Sequence, residues 1–290
     1  MILIAASLCC QDDSGDELKS QNNLQTDHVI SLPDRLSDAP TGSELVTILS
    51  PMGLQQREER ILSEILSGNI PDFLRTLVPV AITKTKDGEV DTAIFYATCD
   101  YLAIGSDEDY FLIPMTPILA QELADSLHMS LPTRKMVNAL WNQAELKLEP
   151  APIPPSSAMV TIPVFSDHNS IVHQQRYESI SAYPLGHLVA GHKKDVILSN
   201  RIMTNQDKVF IYGWHQLNGQ PIQPLYSGHV NWYADYSHGI RLVQEEIFIH
   251  DQLYNIRDVL MDSVLYSIMS DEDGPMEMPY YLVNKSDYPG

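Results

Sequence analysis

At 290 residues, with 44% hydrophobic and 19% charged side chains, the chain is long enough to bury a sizeable core and too apolar to be disordered throughout. Its 18 basic against 38 acidic side chains give a formal charge of −20, which repels phosphate backbones and argues against nucleic acid as a partner. The apolar run at the start is eight residues, too short to span a bilayer as a helix, so any membrane attachment would be through a lipid anchor.

In chain order, Met1 to Leu8 (MILIAASL) is followed by Cys9 and Cys10 and then by the acidic stretch QDDSGDELKSQNN. An apolar run ending at cysteine and followed by an acidic tether resembles a bacterial lipoprotein signal, here without a basic n-region. The resemblance implies export to the cell envelope or cell surface, with the lipid on Cys9 or Cys10. The alternative is an apolar N-terminal strand. Residues 11–45 are polar and aperiodic and read as a flexible acidic tether. Glu58 to Leu66 has Ile61, Leu62, Ile65 and Leu66 at helical spacing, with Gly68 placed to stop it. VPVAITKT and VDTAIFYAT, joined through Lys86-Asp87-Gly88, predict a hairpin, and YLAIGS and DYFLIPM extend it into a meander. Cys99 ends the second strand and reads as a buried apolar thiol. Thr116-Pro117 opens a helix over ILAQELADSLH, and Thr133 caps another over RKMVNALWNQA.

The proline-rich stretch at 149–156 fits neither helix nor ladder and marks the one possible internal boundary. Beyond it VILSN, KVFIYGW and IRLVQ are strand candidates, QLNGQ is a hairpin turn, and RDVLMDSVLYSIM has helical period. Residues 276–290 read as a surface tail. The fold expected is therefore α+β. An N-terminal β-meander with helices packs against a β-rich, histidine-containing C-terminal half, in a single compact unit over 46–275.

Eight of the ten histidines lie from His168 onward. Four short stretches there set polar groups among apolar strands, each beside glycine: AGHKKD (His192, Lys193, Lys194, Asp195), IYGWH (Trp214, His215), SGH (His229) and ADYSHGIR (Asp235, Ser237, His238, Arg241). Histidine suits proton transfer near neutral pH and zinc ligation. Three chemistries fit. A zinc site would take three of His192, His215, His229, Asp235 and His238. A serine nucleophile would be Ser237 with a histidine base, although no GxSxG elbow accompanies it. Substrate binding without chemistry would use Arg241, Lys193 and Lys194 on a carboxylate and Trp214, Trp232 and Tyr233 as stacking platforms. The plain alternative is that these histidines cap strands and satisfy buried backbone groups.

Tyr236 to Leu242 (YSHGIRL) resembles the SHGC-[IV]-R signature of YkuD-type L,D-transpeptidases, exported cell-wall enzymes with a cysteine nucleophile and a histidine on an upstream strand. The resemblance covers about thirty residues. It implies His215 as the upstream histidine, but Ile240 stands where the cysteine belongs. More broadly, LPTRKMVNALW, PIPPSSAM, GHKKDVILSNR and YGWHQLNGQPIQPLY through DYSHGIRLV resemble an uncharacterised family of exported bacterial proteins over most of residues 75–265. No residue roles follow from that likeness. The leading expectation is an envelope-associated hydrolase acting on a peptide or glycopeptide, with His215, His238, Ser237 and Asp235 catalytic, His192 and His229 as metal ligands, and Arg241, Trp214, Trp232 and Lys193 holding substrate. The rivals are a non-catalytic surface lipoprotein that binds peptide or glycan, and a degenerate transpeptidase-like fold kept for binding.

Overall fold

A computed structural model describes residues 28–86 and 89–289. The lipoprotein-like segment 1–10, the acidic stretch after it as far as residue 27, and the Asp87-Gly88 turn lie outside the described residues. Where the description begins, the chain is already packed: Val29 bridges Thr76 and Ile30 is 4% exposed. Residues 28–45, expected as tether, thus lie against the body. They lead into helix α1 (Gly42–Leu49), whose capping box pairs Thr41 and Glu44 reciprocally.

Helix α2 (Leu54–Leu66) starts four residues before the expected Glu58, and Gly68, at φ +87°, follows its end. Strands β1 (Leu77–Lys86) and β2 (Glu89–Thr98) pair antiparallel from Leu77↔Thr98 to Lys86↔Glu89. Strands β3 (Ala103–Gly105) and β4 (Tyr110–Leu112) pair only with each other, so the meander continues as a separate ribbon. The threonine caps hold as their chemistry requires: Thr116 accepts from Leu119 N–H at the start of α3 (Pro117–Ser126), and Thr133 from Met136 N–H at the start of α4 (Arg134–Gln143). The short strands β5 (Met129–Ser130) and β6 (Leu146–Lys147) flank α4.

After the prolines comes helix α5 (Ile162–Ser179), which no pattern in the sequence predicted. Its buried stripe is Ile162, Phe165, His168, Val172 and Arg176: helical spacing, but two of the five are polar. The C-terminal half then supplies β7 (Val189–Ala190), β8 (Lys194–Val196), β9 (Ile211–His215), β10 (Pro221–Tyr226), β11 (His238–Gly239), β12 (Val243–Gln244), β13 (Glu246–Ile249) and β14 (Gln252–Asn255). The expected final helix is broken into α6 (Ile256–Met261) and α7 (Tyr266–Met269). Two sheets organise the molecule. Six strands run β14-β13-β2-β12-β5 with β1 on the free side of β2, and four run β10-β9-β8-β11. The architecture is α+β and compact, with one continuous core. Among the described residues no helix is long and apolar enough to cross a membrane.

The C-terminal segment is not a loose surface tail, because Met276, Met278, Tyr281 and Tyr288 are buried. The Tyr281 hydroxyl donates to the carbonyl of Ile197 (2.6 Å) and accepts from Phe210 N–H (3.0 Å). The Tyr288 hydroxyl donates to Glu58 Oε2 (2.9 Å), a buried carboxylate that also accepts from the backbone and hydroxyl of Thr116. Replacing Tyr288 by Phe removes one of the three donors to that carboxylate. Tyr288→Phe should therefore cost about 1–2 kcal/mol, read from urea unfolding midpoints.

Candidate functional site

The site is built around β8, which pairs with β9 on one side and β11 on the other. Lys194 pairs with Gly213 on one side and His238 on the other, so β9 and β11 bring their polar residues to the same short strand. Two glycines allow this. A Cβ on Gly239 would lie 2.5 Å from the Tyr101 ring and 2.7 Å from Lys193 Cβ, so only glycine lets β11 approach β8 here. Gly213 (φ +108°) and Trp214 (φ +57°) are both left-handed. That conformation is a strained one for tryptophan, and such strain concentrates at functional sites. It carries the indole to Lys194, whose Nζ lies 5.1 Å from the ring centroid.

Two polar groups result. The inner one links the sheets. Asp195 accepts from the Tyr101 hydroxyl (2.9 Å), and Arg241 stacks over the Tyr101 ring (4.5 Å) with Nε 3.9 Å from Asp195. The two Nη atoms of Arg241 donate to the carbonyls of Thr98 (2.6 Å) and Val189 (2.7 Å). Burial pushes Asp195 up to about 7, with Arg241 opposing. His192 Nε2 lies 3.1 Å from Asp100, and its ring meets Tyr101 edge-on. Arg241 is 1% exposed, so in place of the expected role in orienting a substrate it ties β2, β7 and β8 together.

The outer group is Lys193, Lys194, His168, Asp235, Ser237, His238, Tyr233 and His229. Lys193 Nζ donates to the carbonyl of Tyr236 (2.6 Å) and lies 3.2 Å from His168 Nδ1; burial lowers its amine to about 7, against Asp235 and Asp100. Asp235 Oδ1 accepts from both N–H and Oγ–H of Ser237 (2.8 and 2.5 Å), and Oδ2 accepts from the Tyr233 hydroxyl (3.2 Å). Burial alone would raise this carboxyl, but His238, Lys194 and the bonds from Ser237 hold it at about 2. His238 is fully buried, lowered by that burial to about 4, and neither ring nitrogen has a hydrogen-bond partner. Its partly exposed neighbours are Lys194 and Tyr233, on which His229 stacks at 3.9 Å. In a chain of charge −20, residues 187–243 carry five basic and three acidic side chains.

Several expected roles are redistributed. His215 stacks on Trp141 (5.1 Å) and lies 3.2 Å from Asn138 Oδ1, sharing no ring contact with His238. Ile240, which stands where the transpeptidase cysteine belongs, is fully buried in the core. Cys99 does not stand in for the missing cysteine: its Sγ donates to the carbonyl of Phe73 and burial raises the thiol to about 12. The Ser237 hydroxyl donates its hydrogen bond to Asp235 rather than to a histidine, so the expected histidine base is not in place. Among the described residues no three His, Cys, Asp or Glu side chains converge as a metal ion requires. His192 lies beside Asp100 and His229 stacks on Tyr233, and neither belongs to a three-ligand group among the described residues. Trp232 is half-buried and lines an apolar cavity with Tyr233. Sequence reasoning missed His168, Asp100 and Tyr101. His168 was hidden in an unread helix, and the other two follow a strand with no motif around them. Compared with protein-family models, with curated proteins and with solved structures, the chain matches none.

Proposed function

We propose that the protein is an envelope-associated hydrolase of peptides or glycopeptides, with His238 as its proton-transfer group and Asp235, Lys193 and Lys194 as the charges around it. The observation that carries this reading is the completely buried imidazole of His238 with two unpartnered nitrogens. Such groups cost stability and are retained where a ligand completes them. Burial keeps the ring neutral at pH 7, so one nitrogen is available to accept a proton from water or a substrate hydroxyl. Asp235, ionised beside it, favours the imidazolium that would form. The partly exposed Lys194, whose strand pairs with that of His238, would suit a ligand bearing a carboxylate. Placement at the envelope rests on the lipoprotein-like start and is tested by the mass of the mature N-terminal peptide.

Two properties of His238→Met should move in opposite directions. Cleavage of cell-wall peptides and glycopeptides at neutral pH, followed by mass spectrometry, should fall at least about a hundredfold. Stability should rise by about 1 kcal/mol, because two unpaired nitrogens leave the core. A variant as active as its parent would sink the proposal. A parent that binds these ligands without cleaving them would favour the second reading, a peptide- or glycan-binding module, which the pairing of Trp232 and Tyr233 in one cavity supports.

A further inference from the structure

Beside the His238 cluster lies a cavity of about 280 Å³ between Leu54, Arg57, Val160, Trp232, Tyr233 and Pro289. Its walls are apolar apart from Arg57, and a volume below that of drug-sized ligand sites suits a single residue-sized group. Tyr233 joins it to the proposed site: the same side chain lines the cavity, donates to Asp235 and meets the ring of His238. Arg57 is the unusual member. It is 6% exposed, its guanidinium lies 5.3 Å from the Phe165 ring centroid, and its one side-chain hydrogen bond runs from Nη1 to the carbonyl of Val160 (3.1 Å). Its Nε is buried without a partner. The adjacent Glu58 does not complete it, because that carboxylate is engaged by Thr116 and Tyr288.

A buried guanidinium with unused donors at an apolar cavity calls for an anion with an apolar body. A carboxylate satisfies the planar fork of arginine best. An internal peptide residue with an apolar side chain has no carboxylate; a C-terminal one has both. We propose that the cavity is the subsite for the C-terminal residue of the peptide, an aromatic or branched aliphatic residue whose free carboxylate pairs with Arg57. The assignment deepens the hydrolase reading and rests on it for the fate of the bound peptide, but not for the binding itself.

The test is calorimetric titration of the full chain with N-acetyl-phenylalanine and with its uncharged amide. The acid should bind at least about tenfold tighter than the amide. Arg57→Met should abolish that preference. Because Arg57 is buried, Val160→Trp serves as a second variant that fills the cavity with Arg57 in place; it should weaken the acid about tenfold at an unchanged melting temperature. Equal affinity for acid and amide, no binding of either, or a preference that survives Arg57→Met would overturn the subsite. A preserved acid preference in a protein that cleaves no peptide would sink the hydrolase reading alone, and cleavage without the preference would sink the subsite alone.

Discussion

Raising the pH from about 7 to 9.5 should make the protein more stable, by about 1 kcal/mol per unit, through Lys193. Its amine is brought down to about 7 in the folded chain against an ordinary value of 10.5. Between those values the unfolded chain binds a proton that the folded chain does not, so stability increases with pH across that window. Below pH 7 both states hold the proton and this dependence ends. The cause is burial of Nζ among the carbonyl of Tyr236, the ring of His168 and, further off, Asp235 and Asp100, which oppose the shift. Lys194, lowered by partial burial, contributes with the same sign. On the acid side, His168, held at about 2, and His215 and His238, held at about 4, destabilise the fold as pH falls below their ordinary 6.5. Asp195, raised to about 7, opposes them there, since its folded form binds a proton before the unfolded one does. Urea unfolding of the parent and of Lys193→Met at half-unit intervals isolates the lysine. The variant should lose most of the alkaline slope, and an equally steep slope in both proteins would show that Lys193 is not its source.

Arg241→Met should destabilise the protein by about 3–5 kcal/mol, the cost of breaking a buried charge arrangement from one side. Two buried carbonyls, of Thr98 and Val189, would lose their donors, and Asp195 would lose the cation that lowers its carboxyl. Because Thr98 ends a strand of the larger sheet and Asp195 lies in the smaller one, the damage falls on the junction between the sheets. Arg241→Lys should recover only part of the loss, since an ammonium cannot reproduce the fork that spans both carbonyls. In Arg241→Met/Asp195→Asn the charge component should be relieved and the hydrogen-bond component retained. A loss below about 1 kcal/mol in the single variant would remove Arg241 from its role as the staple between the sheets.

Local chemistry made much of this legible. Threonine before a helical pattern, proline at the first helical turn, alternating strands around Asp-Gly and the QLNGQ turn all act within a few residues, and each element they imply is present or nearly so in the described chain. The enrichment of histidine and glycine after residue 187 marked the region where Lys193, Asp235 and His238 meet. What the sequence left open has a common physical reason. Helix α5 was unreadable because its buried stripe includes His168 and Arg176, whose burial is satisfied only by partners distant in sequence, such as Lys193 for the histidine and the carbonyls of Tyr183 and Pro184 for the arginine. Residues 276–290 looked like a surface tail because nothing nearby in the chain announces that Tyr281 and Tyr288 bond to Ile197 and Glu58.

The roles within the site were decided by tertiary structure alone. By itself the sequence determined the α+β class, the caps and turns, the acidic surface and the cluster of candidate residues. Which histidines are buried without a hydrogen-bond partner, which arginine is sealed inside, and whether three ligands converge depend on strand register and on the face each side chain meets. His215 and His238, Arg241 and Arg57 are each of one residue type, yet packing separates their occupations. Residue type fixes what a side chain can do, while burial and the neighbours brought from elsewhere in the chain fix what it does.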